Sequence, residues 1–194
     1  MYKRQTFSFA GSQQLVAQVT AGAPADVVAT ADPESMARLV TTGLVAPPTD
    51  FAQNSLRIAV GPGHPKAVKG LADLARGNLK VVLADPSVPA GRYARQALDK
   101  AGATVKPVSL ELDVKAVLRK VFSGEADAGV VYASDVSGAG VTGIDIPPEH
   151  NVVATYPVAV VRTSRNRAAA QAFVDQLLDG AGRDALLAHG FRGV

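Results

Sequence analysis

Residues 80–102 have the sequence KVVLADPSVPAGRYARQALDKAG, which indicates the fold class. Its first residues, Lys80–Ala84, form a short apolar run that predicts a buried strand. Pro89–Ala101 predicts a helix that opens with proline and ends before Gly102. A strand that turns directly into a helix is the repeating unit of α/β folds built on largely parallel sheets.

The same alternation continues to both ends of the chain. Further strands are predicted at Phe7–Ala10, Asp26–Ala29, Leu56–Val60, Val105–Leu110, Ala128–Tyr132 and Val152–Val161. Further helices are predicted at Gly11–Ala21, Pro33–Thr42, Lys69–Arg76, Val114–Phe122, Ala168–Leu178 and Arg183–His189. The Gly- and Pro-rich stretch Ser137–Pro148 predicts a loop, and Pro157 marks an edge or a bend of its strand.

Two β-rich runs, Leu56–Val60 and Val152–Val161, bracket the middle third of the chain. If they lie side by side, the chain leaves one lobe through the first run and returns through the second. We therefore predict two α/β lobes joined by a two-strand hinge, an arrangement that closes around ligands. Residues 6–62 and 155–194 would form lobe one, and residues 63–154 would form lobe two.

Composition narrows the function classes. The chain contains no cysteine, which excludes thiol catalysis, thiolate metal sites and disulfides, and is compatible with an extracytoplasmic location. The formal net charge is +3, but the basic residues are scattered singly or in pairs and form no stripe with interleaved aromatic residues. We therefore expect no nucleic-acid partner.

Catalytic motifs are not found. The three histidines, His64, His150 and His189, are far apart in the sequence, and none lies in a metal-binding pattern such as HExxH. No GxSxG elbow and no phosphate-binding GxxxxGK[ST] loop occurs. We therefore predict a protein that is not an enzyme and that holds no metal of its own.

Several turns before predicted helices have the features of anion-binding sites. Ser12 stands in one turn, residues 85–91 form a second, and Asp113 opens a third helix. Such turns direct free backbone N–H groups and the positive end of the helix dipole at one point. Hydroxyls of Ser12 and Tyr132 could add donors. The alternative is that Ser12 and Asp113 only cap helices and that Tyr132 only fills the core.

The chain resembles the molybdate-binding proteins of ABC transporters over nearly all of residues 7–194. The motifs that carry the resemblance are Phe9-Ala10-Gly11-Ser12, GAPADV at 22–27, VPAGRYA at 88–94, GEADAGVVYASD at 124–135, YPVAVV at 156–161 and Gly190-Phe191. Each motif alone is only suggestive. Together, in this order and at this spacing, they are specific.

The resemblance implies a type II periplasmic-binding-protein fold with an anion held between the lobes by neutral donors. Carried over by position, these are the Ser12 hydroxyl and N–H, the Ala90 and Val114 N–H groups, and the Tyr132 hydroxyl. The implied ligand is molybdate or tungstate, with no further cofactor, and the implied partner is the membrane permease of an ABC transporter. A monomer located in the periplasm, or at the cell surface as a lipoprotein, is expected.

The start of the chain departs from the family pattern. Family members begin with a strand and an Ala-Ala-Ala-Ser-Leu turn, whose serine donates to the anion, followed by a helix. We expect this first strand and helix of lobe one, and the signal segment before them, to be missing here. Met1–Gln5 (MYKRQ) can be encoded by the end of a sequencing-library adapter, so we interpret these residues as a non-native scar.

An all-donor site favours a fully deprotonated dianion, because the proton of monohydrogen phosphate would lack an acceptor. Molybdate, tungstate and a sulfate-type ligand all meet this requirement. Two different functions are also compatible with the sequence. One is that of an effector-sensing domain of a LysR-type transcription regulator, which shares the two-lobed fold. The second is that of an enzyme on a similar scaffold.

Overall fold

The structure is a computed structural model, and it describes residues 5–63 and 66–194. His64 and four of the five residues that we interpret as a scar lie outside the described residues. None of the helices in the described ranges is both long and apolar enough to cross a membrane.

The described part of the chain contains helices and strands in alternation. The α-helices are α1 (Ser12–Thr20), α2 (Pro33–Thr41), α3 (Pro89–Lys100), α4 (Val114–Phe122), α5 (Ala133–Val136), α6 (Arg167–Asp179) and α7 (Ala181–Ala188). The strands are β1 (Val27–Ala29), β2 (Thr49–Val60), β3 (Val81–Ala84), β4 (Ser109–Glu111), β5 (Ala128–Tyr132), β6 (Thr142–Asp145) and β7 (Val153–Val160). A short 3₁₀ helix occupies Leu71–Ala75.

Local capping explains where the central helices begin. The Asp32 side chain accepts a hydrogen bond from Ser35 N–H at the start of α2. Asp113 does the same for Ala116 N–H at the start of α4, with a length of 2.7 Å. Each bond satisfies one of the amide groups that a helix leaves unpaired at its first turn. Both helices therefore begin where the sequence predicts.

The strand order is β1-β7-β2-β5-β3-β4, and β6 also pairs with β2. The long strand β2 connects two groups of strands. Its residues 49–55 pair with β7, which pairs on its other side with β1. Its residues 56–60 run between β5 and β6. Strand β3 is parallel to both β4 and β5. The pairs β1–β7, β2–β7, β2–β5 and β2–β6 are antiparallel, so the expectation of a largely parallel sheet is wrong.

Each group of strands has its own apolar core. A smaller cluster includes Val16, Met36 and Leu39 and packs α1 and α2 onto β1 and β7. A larger cluster surrounds Ile58 and Val82 and packs α3 and α4 onto β2, β3 and β5. From here on, lobe one is the part with β1, β7, residues 49–55 of β2 and helices α1, α2, α6 and α7. Lobe two is the part with residues 56–60 of β2, β3–β6 and α3–α5.

The predicted pairing of Leu56–Val60 with Val152–Val161 is wrong, although the strand that contains the first run, β2, does pair with β7 through its earlier residues. Strand β7 pairs with residues 49–55 of β2, whereas Leu56–Val60 belongs by its pairing to lobe two. The chain thus changes sheet partner between Ser55 and Leu56, inside one continuous strand and before the predicted boundary at residue 62. The exact limits predicted for the two lobes, residues 6–62 with 155–194 and residues 63–154, remain a prediction.

Three further expectations about strands were wrong. Phe7–Ala10 is not a strand, because no other strand of the described residues pairs with it, and Phe9 is 89% exposed. The strand expected at Val105–Leu110 covers only Ser109–Glu111, after Pro107, which has no N–H to donate. The segment predicted as a loop at Ser137–Pro148 contains β6.

Of the two alternatives predicted for Pro157, an edge or a bend, the structure agrees with the bend. Strand β7 lies inside the sheet between β1 and β2 and is not an edge strand. The register between β2 and β7 shifts between Asp50 and Ala52, opposite Pro157 and Tyr156. This irregularity agrees with the bend that the proline predicts, because a proline cannot donate to its neighbouring strand.

Candidate functional site

Ser12 is the first residue of α1 and is buried. Its Oγ accepts a hydrogen bond from Ala31 N–H at 2.9 Å, so the hydroxyl hydrogen is still available as a donor. The N–H groups at this end of the helix have no partner within α1. Ser12 therefore combines a structural bond within lobe one with two donors at the positive end of a helix.

Ala90 lies in the first turn of α3 and is buried. The N–H groups of Gly91 and Arg92 donate to the carbonyl of Val88, and Pro89 has no N–H. The amide of Ala90 is thus the one in this turn that a ligand could use. At Gly91 a Cβ would lie only 2.0 Å from the carbonyl oxygen of Asp85, so the close approach of this turn to β3 requires glycine.

Val114 is the first residue of α4 and is half-buried. The Asp113 carboxylate accepts a hydrogen bond from Ala116 N–H. The Val114 N–H, in the first turn of α4, has no hydrogen-bond partner within the helix. The next residue, Lys115, forms an ion pair with the buried Asp135 at 2.6 Å. This pairing offsets the charge of a carboxylate that also accepts a hydrogen bond from the Tyr132 N–H.

Tyr132 ends β5 and is 4% exposed. Its hydroxyl is buried, and it has no hydrogen-bond partner among the described residues. Buried tyrosine hydroxyls ordinarily find a partner, because leaving one unpaired costs free energy. Burial also raises the pKa of this hydroxyl well above its usual value, so it stays a protonated donor. The Tyr156 hydroxyl is close enough to add to this rise in pKa, but the two hydroxyls do not have the geometry of a hydrogen bond. Tyr132 therefore offers a donor that forms no well-aligned bond with another described group.

Three of the predicted residues lie in or against one apolar cluster. Ala90 and Tyr132 belong to the same apolar cluster, and Val114 packs against it. Ala31, which donates to Ser12, also packs against this cluster from lobe one. The starts of α3 and α4 and Tyr132 thus share the core of lobe two, and Ser12 is joined to that core through Ala31.

Direct bonds also cross the contact between the lobes. The Gln13 side-chain amide donates to the Leu112 carbonyl at 3.1 Å and joins the start of α1 to the segment before α4. Arg92 of α3 forms ion pairs with Asp32 and Glu34 at the start of α2. Sequence reasoning missed both contacts, although Arg92 stands inside the quoted VPAGRYA stretch, because nothing local to either residue indicates its partner.

Aromatic rings fill the same contact behind Tyr132. Tyr156 of β7 meets the Tyr132 ring edge-on at a centroid distance of 5.8 Å. Phe51 and Phe191 pack edge-on against Tyr156 in turn. These rings hold the Tyr132 ring in place, so the direction of its hydroxyl is set by packing.

The described residues contain no group of three or more His, Cys, Asp or Glu side chains that could hold a metal ion. The His189 ring lies 2.8 Å from the carbonyl of Ala185 at the end of α7, as expected for a residue at a helix C-terminus. The region offers neutral hydrogen-bond donors and helix N-termini, which suit a small anion.

The chain is similar to known bacterial binding proteins. Residues 4–192 match the model of a family described as bacterial extracellular solute-binding protein. The molybdate-binding protein ModA of Mycobacterium tuberculosis is 43% identical over 95% of this chain and 72% of its own length. ModA of Escherichia coli is 38% identical over 88% of this chain and 71% of its own length.

A solved structure is similar over a comparable range. The substrate-binding domain of a putative molybdenum ABC transporter from Clostridium difficile has a TM-score of 0.69 and 30% identity. The match covers 97% of this chain and 86% of that domain. The expected two-lobed binding-protein fold is therefore confirmed.

Proposed function

The chain belongs to the bacterial extracellular solute-binding protein family and to its ModA molybdate-binding members, and on this premise we propose that it captures molybdate for an ABC transporter. The ligand is a tetrahedral oxyanion that enters between the lobes. The protein works outside the cytoplasm and delivers the anion to the membrane permease of the transporter. The proposal includes no bond-making step and no cofactor, and a single copy of the chain suffices.

One observation carries the proposal. The Tyr132 hydroxyl is buried at the contact between the lobes and is unpaired among the described residues. A donor in this position gains a partner when an acceptor oxygen of an anion is placed against it. A bond from a neutral donor to a charged acceptor is among the stronger hydrogen bonds in proteins.

We assign the remaining donors to the starts of the helices. Ser12 provides its hydroxyl and N–H from lobe one, and Ala90 and Val114 provide N–H groups from lobe two. Three helix dipoles then point their positive ends at the anion, which compensates its charge without a lysine or arginine at the site. Because the donors come from both lobes, the anion stabilises the closed arrangement.

The donor set also sets the ligand class. Molybdate, tungstate and sulfate present only acceptor oxygens, whereas monohydrogen phosphate carries a proton that needs an acceptor. Leaving that proton unpaired costs about 1–3 kcal/mol. The relatives named as molybdate-binding proteins favour molybdate within this class. They equally favour transport over transcription regulation.

We expect isothermal titration to show binding of molybdate and tungstate, with phosphate weaker by roughly tenfold to a hundredfold. Sulfate is the matched control, because it is fully deprotonated like molybdate but smaller. Its affinity separates the effect of the phosphate proton from the effect of size. Phosphate binding as tightly as molybdate would contradict the donor-only site. No binding of any of the four anions would contradict the proposed function.

A further inference from the structure

Arg92 connects the two lobes through charged side chains. It lies on α3 of lobe two and forms an ion pair with Asp32 at the start of α2 in lobe one. Its Nε also lies 3.2 Å from a carboxylate oxygen of Glu34. The other ion pairs of the described residues lie within a single lobe, for example Arg57 with Asp145. Among the described residues, the ion pairs of Arg92 are thus the ones that join the two lobes.

Both ends of this contact are held in place before they meet. In lobe two, Arg92 donates to the carbonyl of Ser87 at 3.0 Å. In lobe one, the second oxygen of the Asp32 carboxylate accepts the capping bond from Ser35 N–H, and Thr30 donates to the Asp32 carbonyl at 2.8 Å. Little side-chain freedom is left to lose when the lobes come together, which favours a strong contact.

Because Asp32 is buried, its ion pair with Arg92 affects the stability of the closed arrangement. The Asp32 side chain is 4% exposed and that of Arg92 is 22% exposed. If the lobes closed without Arg92, the Asp32 carboxylate would be buried with its capping bond as its sole compensation. An unpaired buried carboxylate is costly, and it would add negative charge beside an anion site.

We propose that Arg92 is a positioning residue that holds the lobes closed and so slows release of the ligand. The inference rests on the proposed function, because it concerns the release of the anion from the proposed oxyanion site. Arg92 itself does not contact the anion. It acts through Asp32, by stabilising the arrangement in which Ser12 of lobe one faces the donors of lobe two.

The distance between the lobes tests this inference without any ligand. The chain has no cysteine, so Ala37→Cys on α2 and Gln96→Cys on α3 give two unique and exposed spin-label sites. We expect Arg92→Gln to shift the pulsed-EPR distance distribution of the ligand-free protein to longer values. The matched control is Arg57→Gln, which removes an ion pair within lobe two and is expected to leave the distribution unchanged.

Release of molybdate is the second measurement. We expect Arg92→Gln to raise the dissociation rate about tenfold, a typical size for losing a partly buried charged hydrogen bond. Asp32→Asn keeps the helix cap, since asparagine caps as well as aspartate, but loses the charge. It is therefore expected to raise the rate similarly, and the double variant is expected to add little to either change.

The two measurements separate the two proposals. Unchanged distances in ligand-free Arg92→Gln, or additive effects of Arg92→Gln and Asp32→Asn, would overturn the role of Arg92 even if molybdate binds normally. If the unaltered protein binds no molybdate, the proposed function fails, and the ligand-free distances still decide whether Arg92 holds the lobes together. A loss of thermal stability in Arg92→Gln with unchanged distances would show a merely structural role and would also overturn the proposal.

Discussion

Tyr132→Phe is expected to weaken molybdate binding by about tenfold to a hundredfold and to leave the fold intact. The substitution keeps the ring and its edge-on contact with Tyr156 and removes only the hydroxyl. A hydrogen bond to a charged acceptor contributes about 1.5–3 kcal/mol, which sets the expected loss of affinity. Isothermal titration of the variant measures it.

Thermal stability is the informative second readout on the same variant. The Tyr132 hydroxyl forms no well-aligned hydrogen bond with a described residue and only lies close to the Tyr156 hydroxyl, so its removal costs the ligand-free state little. We therefore expect an unchanged or slightly higher Tm without ligand. Tyr156→Phe is the matched control, because it removes a hydroxyl from the neighbouring ring and is expected to change the affinity less. A lower Tm with unchanged affinity in Tyr132→Phe would show that Tyr132 only fills the core.

Gly91→Ala is expected to reduce both stability and binding. An added Cβ would lie 2.0 Å from the carbonyl oxygen of Asp85 and 2.5 Å from that of Ala84. These are backbone atoms, so relief requires the start of α3 to move away from β3. Overpacking of this kind typically costs about 1–3 kcal/mol in the free energy of unfolding, and here the same movement displaces the Ala90 amide. Denaturant unfolding and molybdate titration measure the two effects.

Gly77→Ala is the matched control for this substitution. Gly77 is exposed, and an added Cβ would meet nothing within 4 Å. We expect its free energy of unfolding to change by less than about 0.5 kcal/mol, as is usual for surface substitutions. If Gly91→Ala behaves like Gly77→Ala in both assays, the start of α3 is neither tightly packed nor part of the site.

The elements that could be predicted from the sequence are those with local signals. Helix α4 has the predicted limits because Asp113 caps its start and Gly124, with φ of 78°, follows its end. Strand β5 also has the predicted limits, since it is a short apolar run between turns. Phe7–Ala10 has the alternation of a strand but no partner to pair with, and pairing depends on residues far away in the sequence.

The same distinction applies to the candidate site. Three candidate residues lie at helix starts, namely Ser12, Ala90 and Val114. Turn residues and capping residues in the local sequence indicate such starts. The bonds that join the lobes carry no such signal. Arg92 meets Asp32 across 60 residues of sequence, and Gln13 meets Leu112 across 99. Contacts of this kind depend on the order of the strands in the sheet. The hydrophobic periodicity of a single segment does not show that order.

The central claim is that one oxyanion lies between the lobes and is bound by neutral donors from both. Anomalous diffraction from crystals of the molybdate complex, recorded at the molybdenum absorption edge, tests it most directly. We expect a single molybdenum peak, with the oxygens of the bound molybdate within hydrogen-bond distance of the Ser12 and Tyr132 hydroxyls and of the Ala90 and Val114 amides. A peak bound by lysine or arginine side chains elsewhere, or no peak at all, would contradict it.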